Sequence, residues 1–419
     1  MRTVALRAEV REQLERIGTA DIVVGIPSFN NARTIGHVVR AVQAGLEKYF
    51  PDHKAVIVDS DGGSTDGTMD VARDATLGDL DAILLHHRMP SSARIVFPYS
   101  GIPGKGSAFR SVFEVASALQ AKACAVIDSD LRSITPEWIE LLVKPVLTEG
   151  FDYVSPLYHR HKFDGTITNS IVYPLTRALY GKRIRQPIGG DFGLSGKVAE
   201  FYLGQDVWDS DVARFGVDIW MTTTAIANGF KVAQSFLGAK IHDPKDPGAD
   251  LSSMLYQVLS STFALMEHHS NVWLPVRGSE AVPAFGFQYT VGLEPINVDT
   301  ARMLSIFREG IRNLGEIWLD VLGAGDFAEV ERLGQLPDDT FHFPASLWMR
   351  TVYDYALAYH RRKLPAEHLI KSMTPLYIGK TASFIVNARD MGQEEAEAEI
   401  EKLCMEFENG KDYLAAHWK

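Results

Sequence analysis

The sequence has few cysteines, no excess of basic residues and no long apolar run. Only two of its 419 residues are cysteines, Cys124 and Cys404. They lie far apart, which excludes a disulfide framework and fits a reducing compartment. The formal net charge is −11, so nucleic acid and anionic membranes are poor candidate partners. No stretch approaches the roughly 20 apolar residues that span a bilayer, and residues 1–18 lack the apolar core of a secretory signal. Together these features predict a soluble cytoplasmic protein.

Strand and helix patterns alternate along the first part of the chain. The β-branched run Asp21–Ile26 precedes a turn-rich segment and then apolar residues at helical spacing, and Lys54–Val58 repeats the arrangement. This alternation predicts an α/β fold with a mostly parallel, doubly wound sheet. The pattern loosens after about residue 150, and long helical patterns follow past Asp250. We therefore expect a nucleotide-binding and catalytic α/β domain over residues 1–250 and a mainly helical region over residues 251–419.

Two aspartates spaced by one residue, Asp128 and Asp130, follow the apolar run Ala125–Ile127. If that run is a buried strand, both carboxylates lie at its C-terminal end, where open α/β sheets bind ligands. Two carboxylates there can hold a hard divalent cation, which usually bridges to substrate phosphates. Short acidic motifs also occur in ordinary turns, so the surrounding motifs must decide between a metal site and a turn.

Polar segments follow other predicted strands as well. Pro27–Asn31 and the loop from Asp59 to Asp66 could contact a nucleobase or ribose, although such residues also dominate ordinary turns. In Pro103–Gly106, glycines on both sides of Lys105 let the backbone approach a ligand while the ammonium meets a phosphate. Its spacing does not match a P-loop, and a solvated loop lysine is the alternative.

Three further segments could complete a site. Gln186–Asp191 places two glycines beside an acid, as a backbone cradle for a sugar or small carboxylate would require. Arg214–Ile219 places Asp218 one turn into a predicted helix. His242 follows an apolar strand and, next to the acidic pair, is a candidate third metal ligand.

These segments, in this order, resemble the GT-A glycosyltransferases, a Rossmann-like group with a mostly parallel sheet flanked by helices. They are most similar to the retaining enzymes that make glucosyl-3-phosphoglycerate, glucosylglycerate and mannosylglycerate. The matching elements lie between about residues 21 and 260. They are the Pro27 loop, Asp59–Ser60, Gly104–Gly106, Asp128–Asp130, Gln186–Asp191, Gly216–Asp218 and His242.

The resemblance implies a role for each matched residue. The residues around the nucleotide sugar would be Pro27, Phe29, Asn31, Asp59, Ser60, Lys105, Asp128, Ser129, Gly189 and Gly190. The ligands of a divalent metal, Mg²⁺ or Mn²⁺, would be Asp130 and His242. The catalytic residues would be Asp218, Asp130 and Lys105. The acceptor would contact Gly190 and Asp191.

Two arginines, Arg183 and Arg185, are candidates for acceptor binding by charge, because a small anionic acceptor requires positive groups. They belong to the cluster Lys182–Arg185, and His159–Lys162 is a second such cluster. A solvated loop is the alternative for each cluster, since exposed lysine and arginine are the default.

The sequence departs from the group at several positions. Asn31 stands where the group often has glutamate, and Asp61–Gly63 lengthens a loop. Asp191 and Asp218 also stand where glutamate is common. These differences leave open the nucleotide base, which could be uracil, guanine or adenine, and the choice between glucose and mannose.

The predicted function is metal-dependent, retaining transfer of glucose or mannose from a nucleoside-diphosphate sugar to D-glycerate or 3-phosphoglycerate. The product would be a compatible solute or its precursor, and a homodimer is expected. One alternative is an inverting family 2 glycosyltransferase acting on a polysaccharide or lipid. Another is a catalytically silent nucleotide-sugar-binding protein. A nucleotidyltransferase would need a glycine-rich N-terminal signature with an arginine, which the sequence lacks.

Overall fold

The computed structural model describes residues 6, 8–75, 93–99, 103–214, 216–241, 251–288, 296 and 298–418. The chain divides into two compact units whose segments interleave along the sequence. The first unit comprises Met1–His159, Ile188–Lys245 and Val282–Val291, and the second comprises Arg160–Pro187, Asp246–Ala281 and Gly292–Lys419. This division differs from two contiguous domains that meet at residue 250, because residues 160–187 pack with the later helices and residues 282–291 return to the first unit.

Ten strands are present in the described residues. In chain order they are β1 (Ile22–Ser28), β2 (Ala55–Asp61), β3 (Ala93–Pro98), β4 (Ala123–Val126), β5 (Tyr153–His159), β6 (Lys182–Arg183), β7 (Phe192–Ser195), β8 (Val232–Ala239), β9 (Glu280–Ala281) and β10 (Ala284–Phe285). Eight of them form the sheet of the first unit, in the order β10-β8-β5-β7-β4-β1-β2-β3. The short strands β6 and β9 pair with each other in the second unit.

The sheet of the first unit is mostly parallel. β7 alone among the described strands runs antiparallel to its neighbours, β4 and β5, and the remaining pairs are parallel. The carboxyl ends of β1, β2, β4 and β8 therefore meet at one edge of the sheet, where open α/β sheets bind ligands. The predicted α/β fold with a mostly parallel sheet is confirmed.

Helices cover this sheet, and their packing against it explains why its strands are apolar. The helices of the first unit are α1 (Ala8–Ile17), α2 (Ile35–Tyr49), α3 (Thr68–Asp74), α4 (Lys105–Ala118), α5 (Glu137–Leu147), α7 (Gly196–Leu203) and α8 (Val217–Ala227). Buried side chains of β1, α2, β4 and α5 share one core, including Val24, Val39, Ala125 and Ile139. Strands covered on both faces read as continuous apolar runs, which is the pattern seen in β1 and β4.

The second unit is helical. After a π-helical turn at Thr168–Val172, its helices are α6 (Tyr173–Tyr180), α9 (Leu251–His268), α10 (Ser270–Trp273), α11 (Thr300–Leu333), α12 (Ala345–His360), α13 (Ala366–Ser372), α14 (Thr374–Ala388), α15 (Gln393–Asn409) and α16 (Lys411–His417). Helix α11 is interrupted at Gly323, where φ is 77°. The predicted helical C-terminal section is thus confirmed. Among the described helices, none is both long and apolar enough to cross a membrane. The homodimer and the cytoplasmic location stay predictions.

Candidate active site

Two loops predicted to contact the nucleotide meet at the carboxyl edge of the sheet. The side-chain oxygen of Asn31, after β1, accepts hydrogen bonds from the Ser129 hydroxyl at 2.8 Å and from the Phe29 amide at 3.0 Å. The Thr34 hydroxyl donates to the Ser129 carbonyl at 2.8 Å. These bonds fix the loop after β1 against the loop after β4. The ring of Phe29 is left 60% exposed, and Pro27 is half-buried at the end of β1.

Asp59, near the end of β2, is buried with part of its acceptor capacity unused. Its Oδ1 accepts a hydrogen bond from the Ser28 hydroxyl at 2.6 Å, whereas Oδ2 has no partner among the described residues. Burial raises the pKa of Asp59 to about 7, and the nearby charge of Asp61 adds to the effect. Asp61 instead holds the following loop by accepting from the amides of Gly63 and Ser64. Ser60, between the two acids, is also fully buried.

Five charged side chains form the centre of the site and are called the charged cluster below: Lys105, Asp128, Asp191, Asp218 and Lys240. Asp128 lies between the two lysines, at 2.7 Å from each ammonium. The Lys105 ammonium is also 3.3 Å from Asp218, and the Lys240 ammonium is 2.8 Å from Asp191. Lys105 begins helix α4, Asp128 follows β4, and Lys240 follows β8, so the cluster connects three elements at one edge of the sheet.

The environment moves the pKa values of the cluster in opposite directions. Burial alone would disfavour every charge, but for Asp128 the charges of Lys105 and Lys240 outweigh burial and lower its pKa. For Lys105, the charges of Asp128 and Asp218 outweigh burial in the same way and raise its pKa. Burial dominates at Asp191 and Asp218 and raises the pKa of both. Asp128 and Lys105 are therefore a charged pair, while the other two acids bind protons more readily than usual.

Gly189 and Gly190 bring the backbone into the cluster. The Gly189 carbonyl accepts from the Lys240 ammonium at 2.8 Å, and the Gly190 carbonyl accepts from Lys105 at 3.3 Å. Gly190 has φ of +93°, and a Cβ at this position would lie 2.2 Å from Asp128 Oδ2. A side chain there would be strained and would collide with a charged partner. The backbone approach therefore requires glycine.

Asp191 supports the cluster from inside. Its side chain is 0% exposed, and it accepts hydrogen bonds from the Tyr158 hydroxyl, from Lys240 and from the Asp128 amide, the last at 2.7 Å. The sequence prediction gave Asp191 contact with the acceptor, but in this structure its oxygens are occupied by protein groups. Lys240 had no predicted role. Its signal in the sequence was a lysine that directly ends an apolar strand, two residues before a candidate ligand.

Asp218 has one oxygen with unused acceptor capacity. It lies in the first turn of α8, with a side chain that is 15% exposed. Its Oδ2 accepts from Lys105 at 3.3 Å. Oδ1 lies at the same distance from that ammonium but is buried and makes no hydrogen bond among the described residues. This oxygen could accept a hydrogen bond from a sugar or acceptor hydroxyl.

The predicted metal ligands are only partly within the described residues. Asp130 is half-buried in the turn after β4, and His242 lies outside the described residues. The chain just before His242 is attached to that same turn, because the Ile241 amide donates to the Ser133 hydroxyl at 2.9 Å and the Arg132 amide donates to the Ile241 carbonyl at 2.8 Å. The carboxylate of Asp130 is a ligand type that suits Mg²⁺ or Mn²⁺, whereas an imidazole is more typical of zinc, copper, iron and nickel sites. Within the described ranges, no group of three or more His, Cys, Asp or Glu side chains could hold a metal ion.

The two predicted acceptor arginines lie in the second unit. Arg185 donates to both carboxylate oxygens of Glu397, at 2.6 and 3.0 Å. Arg183 is exposed and donates to the Ser279 hydroxyl at 3.0 Å. Arg185 is thus already paired with a carboxylate, and Arg183 is the more accessible of the two.

Comparison with known proteins identifies the class of the chain. Residues 90–264 match the family model described as mannosylglycerate synthase, GT domain. This range contains the whole charged cluster, Asp130 and His242. Among curated proteins, none matches the chain significantly.

Solved structures of glucosyl-3-phosphoglycerate synthase from Mycobacterium tuberculosis are similar to part of the chain. The complex with Mg²⁺ and uridine diphosphate has 23% sequence identity and a TM-score of 0.43, over 60% of this chain and 82% of that chain. The complex with Mn²⁺, UDP-glucose and phosphoglyceric acid also has 23% identity and a TM-score of 0.43, over 64% of this chain and 86% of that chain.

The family match confirms the resemblance to the glucosyl-3-phosphoglycerate, glucosylglycerate and mannosylglycerate synthases. The chain is a glycosyltransferase, and its residues 90–264 are similar to the GT domain of mannosylglycerate synthase.

Proposed function

We propose that this glycosyltransferase moves glucose or mannose from a nucleoside-diphosphate sugar to D-glycerate or 3-phosphoglycerate, with retention of configuration. The observation that carries the proposal is the charged cluster. It combines a charged lysine, a glycine cradle and an acid, Asp218, with unused acceptor capacity at the ligand-binding edge of the sheet. The product class in the name of the matching family model supports glycerate-type acceptors.

The nucleoside would lie against the loops after β1 and β2. The exposed ring of Phe29 offers a flat apolar face on which a base can stack. The Ser129 hydroxyl donates to the Asn31 side chain at 2.8 Å, and the Phe29 amide donates to the same oxygen, so these hydrogen bonds fix the polar residues beside this ring. Asp59 has a carboxylate oxygen without a hydrogen-bond partner among the described residues. Because Asp59 is buried, it would act on the nucleotide indirectly, by positioning residues such as Ser28 that donate to it.

The diphosphate would lie between Lys105 and the proposed metal ligands. Asp130 and His242 would hold Mg²⁺ or Mn²⁺, which when bound neutralises charge on the leaving diphosphate. The raised pKa of Lys105 keeps its ammonium charged. If the ammonium releases one of its two longer acceptors, Asp218 or the Gly190 carbonyl, each at 3.3 Å, it can donate to a diphosphate oxygen as charge develops there. Lys240 would hold Asp128 and Gly189 in position, because it is buried and hydrogen-bonded to both.

Retention requires that the acceptor attacks from the side of the leaving group or that a protein nucleophile intervenes. We favour attack from the leaving-group side. The bond between the anomeric carbon and the phosphate oxygen breaks with its electron pair going to the diphosphate. The acceptor oxygen bonds to the same face, and its proton passes to a phosphate oxygen. Asp218 Oδ1 would accept a hydrogen bond from the sugar or the acceptor and so orient it, instead of attacking.

The acceptor would contact the backbone at Gly190. Of the two arginines that the sequence predicts for its negative charge, Arg183 is the more exposed. Arg185 would need to release Glu397 before it could contribute. An activity matrix tests the whole proposal. It crosses UDP-, GDP- and ADP-linked glucose and mannose with D-glycerate and 3-phosphoglycerate, with Mg²⁺ or Mn²⁺, and measures release of the nucleoside diphosphate.

Release that depends on one of these acceptors would establish both substrates, and the anomeric configuration of the product would separate retention from inversion. Asp130→Ala should lower metal-dependent turnover by at least about 100-fold, a typical loss when a group that stabilises transition-state charge is removed. Asp209→Ala, at an exposed acid of the same unit, should change turnover little. Unchanged metal-dependent turnover in Asp130→Ala would contradict the proposed metal site.

A further inference from the structure

The second unit contains a cavity of about 430 Å³. Its walls come from the π-helical turn before α6, the start of α12, and helices α14 and α15. Apolar side chains supply much of the lining, among them Phe384, Ile400 and Leu403, and Ser383 and Asn387 add hydroxyl and amide groups. The volume falls in the range of about 300–1,000 Å³ that small-molecule sites occupy. None of the lining residues belongs to the charged cluster.

Lys380 is the unusual member of this lining. Its ammonium donates to the Phe343 carbonyl at 3.0 Å. In the part of the chain that the structure describes, no carboxylate lies within ion-pairing distance of it. Lys380 is half-buried, and ammonium groups that are withdrawn from water are normally paired, because an isolated charge is costly to bury. Two of its three N–H donors therefore have no acceptor among the described residues.

The charge state of Lys380 suits an anionic partner. Burial lowers the pKa of Lys380 to about 8, and the charge of Glu399 opposes the shift. The ammonium thus remains mostly protonated at pH 7. The lining has four other ionisable groups. Lys402 pairs with Glu399, His342 contacts Asn387, and Glu406 is half-buried.

We propose that this cavity is a binding site for a small organic anion with an apolar body, whose carboxylate accepts hydrogen bonds from the Lys380 ammonium. The apolar walls would bury the hydrocarbon part, and Lys380 would select an anion over a neutral or cationic molecule of equal size. This ligand is additional to the proposed donor and acceptor, because the site is built from other residues.

Isothermal titration calorimetry of the full chain with three eight-carbon probes tests the proposal. Octanoate should bind at pH 7 at least tenfold more tightly than 1-octanol, and octylammonium should bind more weakly than either. Lys380→Met keeps the length of the side chain but removes the charge, so octanoate affinity should fall about tenfold, to that of 1-octanol. Lys371→Met removes an exposed lysine of the same unit and should leave all three affinities unchanged.

Two further measurements keep the test decisive if Lys380→Met fails to fold. Octanoate affinity of the unmodified chain should fall between pH 7 and pH 9.5, as Lys380 loses its proton, while 1-octanol affinity stays constant. Ala345→Phe, which fills part of the cavity, should weaken octanoate and 1-octanol together. Equal affinity for octanoate and 1-octanol, or octanoate binding that survives both Lys380→Met and Ala345→Phe, would overturn the proposal. The second result would also assign octanoate to another site, such as the acceptor site.

Discussion

Replacing Lys240 by methionine should destabilise the first unit strongly, because it would leave buried carboxylates without their cation. The Lys240 side chain is 4% exposed and Asp191 is 0% exposed, with 2.8 Å between ammonium and carboxylate. Removing one partner of a buried ion pair typically costs about 3–5 kcal/mol. Asp128 would keep Lys105 at 2.7 Å, so most of the loss should come from Asp191.

The pH dependence of this loss follows from the direction of the pKa shifts. Burial already raises the pKa of Asp191 in the folded protein, and the Lys240 charge opposes that shift. Without Lys240 the folded-state pKa of Asp191 rises further above its unfolded value of about 3.9. The folded variant then binds a proton that the unfolded chain releases, so its stability falls as pH rises through this range. The difference from the unmodified protein should be small near pH 4 and largest at pH 8.

Urea denaturation monitored by circular dichroism at pH 4 and pH 8 measures both effects. A matched control is Lys144→Met, at a lysine of α5 that is 54% exposed, where a change within about 0.5 kcal/mol is expected. Adding Asp191→Asn to Lys240→Met should recover about 1–3 kcal/mol, a coupling energy typical of residues in one charged network. The reasoning is refuted if Lys240→Met alone stays within 0.5 kcal/mol of the unmodified protein at pH 8, or if the double variant is no more stable.

Three other predictions follow from single positions. Gly190→Ala should lower kcat/KM by at least about 100-fold, since its Cβ would lie 2.2 Å from Asp128 Oδ2 and would displace groups of the site. Gly63→Ala is the matched control: its φ of +87° is similar, but the space around it is open, so kcat/KM should fall far less. Asp59→Asn should reduce the loss of folding stability between pH 4 and pH 8 by at least about 1.4 kcal/mol. In the unmodified protein, burial raises the pKa of Asp59, so folding becomes less favourable as pH rises and the carboxyl loses its proton. A denaturation series that is equally pH-dependent in the variant would contradict this. Arg183→Ala should raise the acceptor KM about tenfold without changing the donor KM, as measured by initial-rate kinetics. If the acceptor KM is unchanged even in the double variant Arg183→Ala/Arg185→Ala, neither arginine belongs to the acceptor site.

The sequence was informative about the fold because local patterns and tertiary packing agree in the first unit. The β-branched run before Pro27 and the helical spacing after it become β1 and α2. The boundary between the units was harder to predict. Residues 160–187 carry no composition change that would assign them to the later helices. Their assignment depends on long-range pairs such as Arg177 with Glu401 and Glu408, separated by more than 200 residues.

The sequence predicted those residues of the candidate site whose type, at the end of a predicted strand, points to ligand binding or catalysis. Lys105, Asp128, Gly190 and Asp218 were all selected from motifs, and the structure places them in one cluster. Lys240 was missed because a lone lysine at the end of a strand is usually solvated. Lys240 contacts Asp128 and Asp191, which are 112 and 49 residues away in the sequence, and no local sequence pattern predicts such long-range contacts.

The balance of charge in the cluster also bears on why a divalent cation would be needed. Two lysines face three carboxylates, and Asp128 already engages both ammonium groups at 2.7 Å. Lys105 therefore has little uncompensated charge to offer an incoming diphosphate, because the field of Asp128 and Asp218 opposes another anion in the same place. Protonation of Asp218, which its raised pKa favours, would relieve only part of this repulsion. A donor could then bind well only together with a cation of its own, and under the proposed function that is the role of the metal held by Asp130 and His242.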